Sequence, residues 1–343
     1  MSPPEVLLVI TPFTPKPEWL ANLNAKCPSV EVITYPTELY AQEVPKEVPA
    51  DVWKRTTSLF TWKAFPPKEW VPNMQFVQLL SAGCAQIFGL PLFEETEIAF
   101  STSNGSHAPQ VSEWVVVPHY LDLQKQRKWV DPDSDEDTED SVGLRVGILG
   151  YGNIGRQVAK IATTLGMDVH AYTLHERATA ESRKDDGFVE TGLGDSDGLL
   201  PSKWFHGKDQ LNDFLASDLD LLVILIPLTE QTRNMISKEQ FALLSKKKTY
   251  VCNAGRGPIM NTKDLITALD TEQIRGAALD VTDPEPLPSD SKLWGYKNVI
   301  ITPHCAGNSN HVYERVFKIL TYNLERRSKG EQPINKVRKS LGY

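Results

Sequence analysis

Between Leu144 and Gly155 an apolar run, Arg145-Val-Gly-Ile-Leu149, breaks into three spaced glycines, Gly150, Gly152 and Gly155. The G-x-G-x-x-G spacing takes its meaning from what flanks it. Arg145–Leu149 reads as a buried parallel strand, Asn153–Leu165 has the periodicity of a helix, and Asp168–Tyr172 reads as a second strand. In that order Gly150 permits the tight turn, Gly152 lets backbone approach a pyrophosphate, and Gly155 lets the helix pack close to the strand. The helix start then offers its N–H groups to phosphate oxygens. A glycine triplet alone is usually only a turn; a strand before it and a helix after it make this one a dinucleotide site.

The remaining bounds fit an enzyme of two domains. The chain has 343 residues and a net charge of −8, which argues against a nucleic-acid partner. Cys27, Cys84, Cys252 and Cys305 lie far apart with no C-x-x-C, so neither a disulfide framework nor a metal site is expected. The stretch Asp131–Asp140 holds seven carboxylates and begins like a calcium loop. Its turn position is Glu136 rather than Gly and its closing position is Val142, so a solvated loop is expected instead. With no signal pattern and no apolar run long enough for a bilayer, the expectation is a cytoplasmic protein with no membrane partner.

Two α/β units follow from the strand pattern. Glu5–Ile10, Val30–Thr34, Ser58–Phe60, Gln75–Leu80 and Ile98–Ser101 read as short buried strands of a first doubly wound unit. A long amphipathic helix, Pro109 to Trp129, leads to the glycine turn. The second unit continues through Leu221–Ile226, Thr249–Asn253, Gly276–Leu279 and Val299–Thr302, and a helical segment from Asn310 to Arg327 returns the chain to the first unit. The expected domains are therefore 1–111 with 309–343, and 112–308. Leu174 to Gln210 is an unusually long connection rich in Gly, Asp and Ser, a length that in a compact domain signals function or disorder.

Five segments in order carry a resemblance to a known family. They are Gly150-Tyr-Gly-Asn-Ile-Gly155, Ile226-Pro-Leu-Thr-Glu-Gln-Thr232, Val251-Cys-Asn-Ala-Gly-Arg-Gly-Pro258, Gly276-Ala-Ala-Leu-Asp-Val-Thr-Asp-Pro-Glu-Pro-Leu287 and Asn298-Val-Ile-Ile-Thr-Pro-His-Cys-Ala-Gly307. With them the chain resembles the D-isomer-specific 2-hydroxyacid dehydrogenases over almost its whole length. The resemblance implies an α/β fold of two Rossmann-like doubly wound domains, a flavodoxin-like substrate domain made from both chain ends plus a dinucleotide-binding domain. It also implies hydride transfer in an interdomain cleft, and a homodimer. Catalytic roles fall by resemblance on Arg256, Glu285 and His304. Cofactor contacts are expected at Gly150, Gly152, Asn153, Ile154, Gly155, Thr173, Arg177, Pro227, Thr232, Asn253, Ala254 and Asp280. The family's common Arg within the glycine turn is replaced by Asn153.

The residue chemistry agrees with those roles. Arg256 follows the strand Thr249–Asn253 and His304 follows Val299–Thr302, so both emerge at the carboxyl end of a parallel sheet, where open α/β folds bind ligands. Arginine pairs bidentately with a carboxylate and can polarise an adjacent carbonyl. Histidine is suited to giving a proton near neutral pH, and a carboxylate such as Glu285 beside it fixes its tautomer. Each residue alone reads as a surface or capping group; the three together, after strands of one sheet, read as a site. His107, His119, His170, His175, His206 and His311 lack such company.

Substrate contacts are less constrained. Ser81-Ala82-Gly83 reads equally as a tight turn or, by resemblance, as the small-residue turn whose N–H groups hold the substrate carboxylate. Phe60 and Trp62 line a side-chain pocket if they face the cleft, favouring bulky or aromatic 2-keto acids, and are core if they do not. The position at which NAD-selective folds place an acid is Thr173, which removes a carboxylate's repulsion of a 2′-phosphate. Arg177, with His175 or Arg183 as alternatives, supplies a cation. NADP is therefore the expected cofactor, with NAD the alternative if Glu176 takes the ribose. The expected function is hydride transfer between NADP(H) and C2 of a 2-keto or D-2-hydroxy acid. The alternatives are a glyoxylate/hydroxypyruvate reductase and a non-catalytic, corepressor-like cofactor sensor.

Overall fold

The structure, a computed structural model, describes residues 5–38, 41–106, 141–185 and 187–337. The expected helix Pro109–Trp129 and the acidic stretch 131–140 lie outside the described residues. The chain divides into two compact units, one of residues 1–107, 186–188 and 309–343, the other of residues 108–185 and 189–308.

Among the described residues of the first unit five strands run parallel: β1 Glu5–Thr11, β2 Val30–Pro36, β3 Ser58–Thr61, β4 Phe76–Leu79 and β5 Ala99–Ser101. Their order, β2-β1-β3-β4-β5, is the flavodoxin-like one. Strands buried on both faces read as continuous apolar runs, as Val6–Ile10 does. Alternate residues divide between the faces. Leu8, Ile10 and Leu59 pack with Trp53, Phe93 and Phe100. Leu7, Val9 and Phe60 pack with Val316, Phe317, Leu320 and Leu324 of the helix Val312–Ser328. A late segment also closes the sheet edge: Lys336 bridges Ser101 antiparallel, and Val337 N–H donates to the Phe100 carbonyl at 2.9 Å. Covering an edge strand in this way removes a template for unwanted pairing.

Among its described residues the second unit has seven parallel strands: β6 Arg145–Leu149, β7 Asp168–Thr173, β8 Lys203–His206, β9 Leu221–Ile224, β10 Tyr250–Asn253, β11 Gly276–Leu279 and β12 Val299–Ile301. The order β12-β11-β10-β9-β6-β7-β8 reverses direction between β6 and β9. The glycine turn after β6 therefore sits at the switch point, where the carboxyl ends of neighbouring strands leave a crevice. The long Leu174–Gln210 connection contains two elements that the strand pattern does not show, the helix Ala180–Arg183 and β8, whose Lys203–His206 pairs with His170–Thr173. Four residues, Lys-Trp-Phe-His, are too few to show a strand period, and only Phe205 of the four is buried. Among the described residues no helix is long and apolar enough to cross a membrane.

His170 on β7 is structural. Its Nδ1 lies 2.8 Å from Ser217 Oγ, and the serine proton goes to the Phe214 carbonyl at 2.6 Å, so the imidazole is the donor. Burial above all, then the Arg145 guanidinium, pushes the imidazole down from 6.5 to about 4; Asp168 pulls the other way and Lys203 adds a smaller downward push. Above pH 6.5 the group is neutral in both folded and unfolded chains, whereas between 6.5 and about 4 only the unfolded chain takes up the proton. Stability is therefore lost as pH falls through that window, by up to roughly 3 kcal/mol. His170→Gln should flatten this dependence, seen as a smaller drop in the urea midpoint between neutral pH and the acid end of the window; an unchanged drop would assign it to other groups.

Candidate active site

The glycine turn is shaped by what a side chain would strike. Gly150 has φ +110°, and a Cβ there would lie 3.0 Å from the Ile226 nitrogen. At Gly155 a Cβ would lie 2.3 Å from the Gly150 carbonyl oxygen, so helix and strand meet only because the position is bare. Gly152 differs: nothing lies within 4 Å of a Cβ built there. It is the N-cap of the helix Asn153–Thr164 and, having no side chain, makes no side-chain cap hydrogen bond to the first turn. A helix start with a glycine N-cap and a positive dipole end fits the pyrophosphate of a dinucleotide. Ile154 packs on the core beneath the turn.

The other expected cofactor residues surround the same strand ends. Thr173, last residue of β7, donates its hydroxyl proton to the His175 carbonyl at 2.7 Å. His175 and Glu176 are exposed, and Arg177 is half-buried with its guanidinium donating to the Ser182 carbonyl. Arg183 donates from Nε to the Arg177 carbonyl at 2.9 Å. After β9 the Thr232 hydroxyl donates to the Pro227 carbonyl at 2.8 Å and accepts from Thr229 N–H at 2.7 Å, closing that motif into a turn. Ala254 N–H donates to the Ile224 carbonyl at 3.2 Å, so the β9 and β10 ends stay in register.

Three loops after β10, β11 and β12 carry Arg256, Glu285 and His304. Asn253, fully buried at the end of β10, donates from Nδ2 to the Arg256 carbonyl at 3.0 Å and accepts Gly255 N–H on Oδ1 at 3.0 Å. That bracket presents an exposed Arg256, whose own Nη1 reaches the Gly255 carbonyl at 2.7 Å. Gly257 presses this loop against the next, since a Cβ there would lie 1.8 Å from the Thr282 carbonyl oxygen. Beyond Thr282, Glu285 Oε1 lies 2.7 Å from His304 Nδ1, with side chains 42% and 46% exposed. A carboxylate on Nδ1 fixes the tautomer and leaves Nε2 as the nitrogen that can exchange a proton with a ligand.

Asp280 was expected to touch the cofactor; the structure places its carboxylate beneath His304. It is 3% exposed. Oδ1 accepts the Thr302 hydroxyl, Cys305 N–H at 2.9 Å and Ala306 N–H at 3.1 Å, and Oδ2 also accepts Ala306 N–H at 3.1 Å. The Asp280 carbonyl accepts His304 N–H at 2.8 Å. His304 has φ +52°, in the left-handed region that non-glycine residues avoid. Such a conformation persists only where surrounding bonds over-determine it, as they do here.

In the first unit the expected substrate residues separate. Phe60 is corrected to core: it is 0% exposed and packs edge-on against Phe317, with ring centroids 6.2 Å apart. Both faces of β3 are covered, and a strand's alternation tells which residues share a face but not which face meets solvent. Trp62, beyond the strand, is only partly buried, with Lys63 Nζ 5.2 Å from its ring centroid. Ser81, Ala82 and Gly83 form a partly exposed turn in which Ser81 Oγ donates to the Gly83 carbonyl at 2.7 Å. Gln86 was not singled out from the sequence, yet its Nε2 donates to Ser81 Oγ at 2.7 Å and to the Trp62 carbonyl at 3.3 Å. Only its five-residue spacing from Ser81 hints at this.

Comparison with known proteins agrees with the geometry. A family model described as the D-isomer specific 2-hydroxyacid dehydrogenase, NAD binding domain, matches residues 115–199 and 205–306, more than half of the chain. Hydroxypyruvate reductase of Blautia hydrogenotrophica is 29% identical over 281 residues, covering 78% of this chain and 80% of that protein. A D-isomer specific 2-hydroxyacid dehydrogenase from Xanthobacter autotrophicus, solved in complex with NADPH and MES, is similar with a TM-score of 0.73 at 25% identity, covering 99% of both chains. An NADPH-dependent glyoxylate/hydroxypyruvate reductase from Sinorhizobium meliloti, in complex with NADP and sulfate, gives 0.70 at 25% identity, covering 99% of this chain and 100% of that one.

The Asp280 geometry generates a test. Asp280→Asn keeps the shape but turns an NH2 group towards the Ala306 N–H in place of Oδ2 and removes the charge from the three bonds that remain on Oδ1. A loss of roughly 1.5–3 kcal/mol in stability is expected, together with faster hydrogen exchange at Cys305 and Ala306. Unchanged exchange at those two amides would show that the carboxylate is not what holds the turn.

Proposed function

The chain belongs to the D-isomer specific 2-hydroxyacid dehydrogenase family, and we propose that Arg256, Glu285 and His304 are its catalytic groups and NADP(H) its cofactor. The observation that carries the catalytic assignment is the 2.7 Å contact between Glu285 Oε1 and His304 Nδ1 beside the exposed Arg256 loop. When bound, the nicotinamide supplies or takes the hydride at C2 of the substrate. Arg256 pairs with the substrate carboxylate and polarises the neighbouring carbonyl. His304 Nε2 gives the carbonyl oxygen its proton, and Glu285 stabilises the imidazolium before that transfer. In this reading residues 112–308 are the dinucleotide-binding domain, and 1–111 with 309–343 the substrate domain, in which the Ser81–Gly83 turn offers backbone N–H groups to the carboxylate. Family resemblance supports a cytoplasmic homodimer.

Support for NADP comes from Thr173, where an acid is missing, and from Arg177 close behind it. The two similar structures named with NADPH or NADP add to it. For the substrate, burial of Phe60 leaves Trp62 alone in favour of bulky acids. The relatives named as hydroxypyruvate and glyoxylate/hydroxypyruvate reductases support small 2-keto acids as the second reading. NADPH oxidation with a panel from glyoxylate to aromatic keto acids separates these readings, and no turnover anywhere would favour a non-catalytic cofactor sensor.

Two variants test the assignments. His304→Ala should lower kcat for reduction by about two to four orders of magnitude, the range a positioned general acid contributes. Near wild-type turnover by His304→Ala would remove His304 from the chemistry. Thr173→Asp should oppose a 2′-phosphate and accept from a 2′-hydroxyl. It should shift the NADPH to NADH ratio of kcat/KM towards NADH by roughly 10- to 100-fold. A wild type that already prefers NADH, with the ratio unmoved in the variant, would assign the ribose to Glu176 and the cofactor to NAD.

A further inference from the structure

The long connection after β7 is not an independent appendage. It is fastened to the glycine turn by two residues that sequence motifs pass over. Arg156, directly after Gly155, is 3% exposed although charged. Its Nη1 donates to the Asp195 carbonyl and its Nη2 to the Arg183 carbonyl at 2.7 Å, while Nε lies 3.5 Å from Asp185 Oδ2. Tyr151, between Gly150 and Gly152, is 5% exposed and donates its phenol proton to Asp195 Oδ2 at 2.7 Å. Burial first, then the bond to Asp195, pushes that phenol far above its ordinary range, so it stays a donor at every working pH.

These contacts form one continuous stack. The Arg156 guanidinium lies 5.2 Å from the Tyr151 ring centroid, Tyr151 meets Trp204 edge to face at 5.0 Å, and the Arg183 guanidinium lies 5.7 Å from the Trp204 ring. Next to it Gln157 Oε1 accepts Gly194 N–H at 2.6 Å, and Lys160 donates to the Gly192 carbonyl. Asp195 in turn accepts Leu199 N–H at 3.0 Å and Leu200 N–H at 3.2 Å. Arg183, at the far end of the stack, holds the carbonyl of Arg177, the residue proposed to meet the cofactor's ribose phosphate.

We propose that Arg156 and Tyr151 are positioning residues for cofactor selection, fixing the Arg177–Arg183 turn at a set distance from the pyrophosphate-binding glycines. The separation between a dinucleotide's pyrophosphate and its adenosine 2′-position is set by covalent geometry. A protein that reads both ends gains affinity by holding its two recognition elements at that separation before the ligand arrives. A connection running from Leu174 to Gln210 would otherwise have to gain that order on binding, at an entropic cost. Here a buried guanidinium with three acceptors of the connection around it, and a tyrosine inside the glycine turn itself, remove the freedom in advance. The inference rests on the NADP reading above.

The test separates the two. Binding of 2′,5′-ADP and of 5′-ADP is measured by calorimetry for wild type, Arg156→Met, Arg156→Lys and Tyr151→Phe. Wild type should prefer 2′,5′-ADP. Arg156→Met should lose about tenfold or more of that preference with 5′-ADP affinity held within about threefold, Tyr151→Phe a smaller part, and Arg156→Lys should restore some of it because the charge remains. Hydrogen exchange across residues 187–202 should quicken in the same order. A wild type without preference for 2′,5′-ADP overturns the cofactor reading and this inference with it. A wild-type preference kept intact in both Arg156→Met and Tyr151→Phe overturns the inference alone, even if exchange quickens, since the clamp would then be merely structural.

Discussion

The Asp280 carboxylate, buried at the end of β11, is the point on which the candidate site turns. It reaches across to the loop after β12 and gathers two backbone N–H groups and a hydroxyl, while its own carbonyl takes the His304 N–H. This holds His304 in a left-handed backbone conformation that isolated histidine would leave, and brings the imidazole to Glu285. The opposite side of the same loop system is fixed by steric exclusion: only a bare Gly257 lets the Arg256 loop lie against Thr282. A charge and an absence of side chain together align three loops from three adjacent parallel strands. None of the three exposed functional side chains is held chiefly by packing of its own.

Much of the architecture is legible in the sequence because parallel strands buried on both faces are written as unbroken apolar runs. β1, β6 and β9 stand out for that reason, and the three glycines name the turn after β6. The strand positions in turn place Arg256 and His304 at the carboxyl edge before any coordinate is known. What escapes is information that depends on a neighbour. Phe60 and Trp62 share a parity, and nothing local says that a helix more than two hundred residues later covers the strand while the position beyond it stays partly open. β8 is too short to show a period and exists because β7 offers it an edge. Gln86 and Asp280 are polar residues whose partners lie in other turns, so their roles appear only once the loops are assembled.

The nucleotide end of the second unit shows the same division. Thr173 is conspicuous because a carboxylate is missing there. Arg156 and Tyr151 are not, since a tyrosine between glycines and an arginine on a helix are ordinary residues until their burial is seen. A buried arginine is tolerated when backbone carbonyls and a carboxylate surround it, and removing one partner leaves the rest uncompensated. Such a group ties distant segments into one cooperative piece, and here it fastens a connection rich in Gly, Asp and Ser to the helix after the glycine turn.

The first sheet has a further consequence for the order in which the chain is made. Leu7, Val9 and Phe60 are complete by the time β5 has been synthesised, but the helix that covers them, with Val316, Phe317, Leu320 and Leu324, follows about two hundred residues later. At ribosomal rates of about 5–20 residues per second, that apolar face waits roughly 10–40 s without its lid. During this interval the nascent strands present a surface that chaperones bind and that neighbouring nascent chains can join. The vulnerable interval is thus on the ribosome, before the helix Val312–Ser328 exists, and slowing translation between β5 and that helix lengthens it.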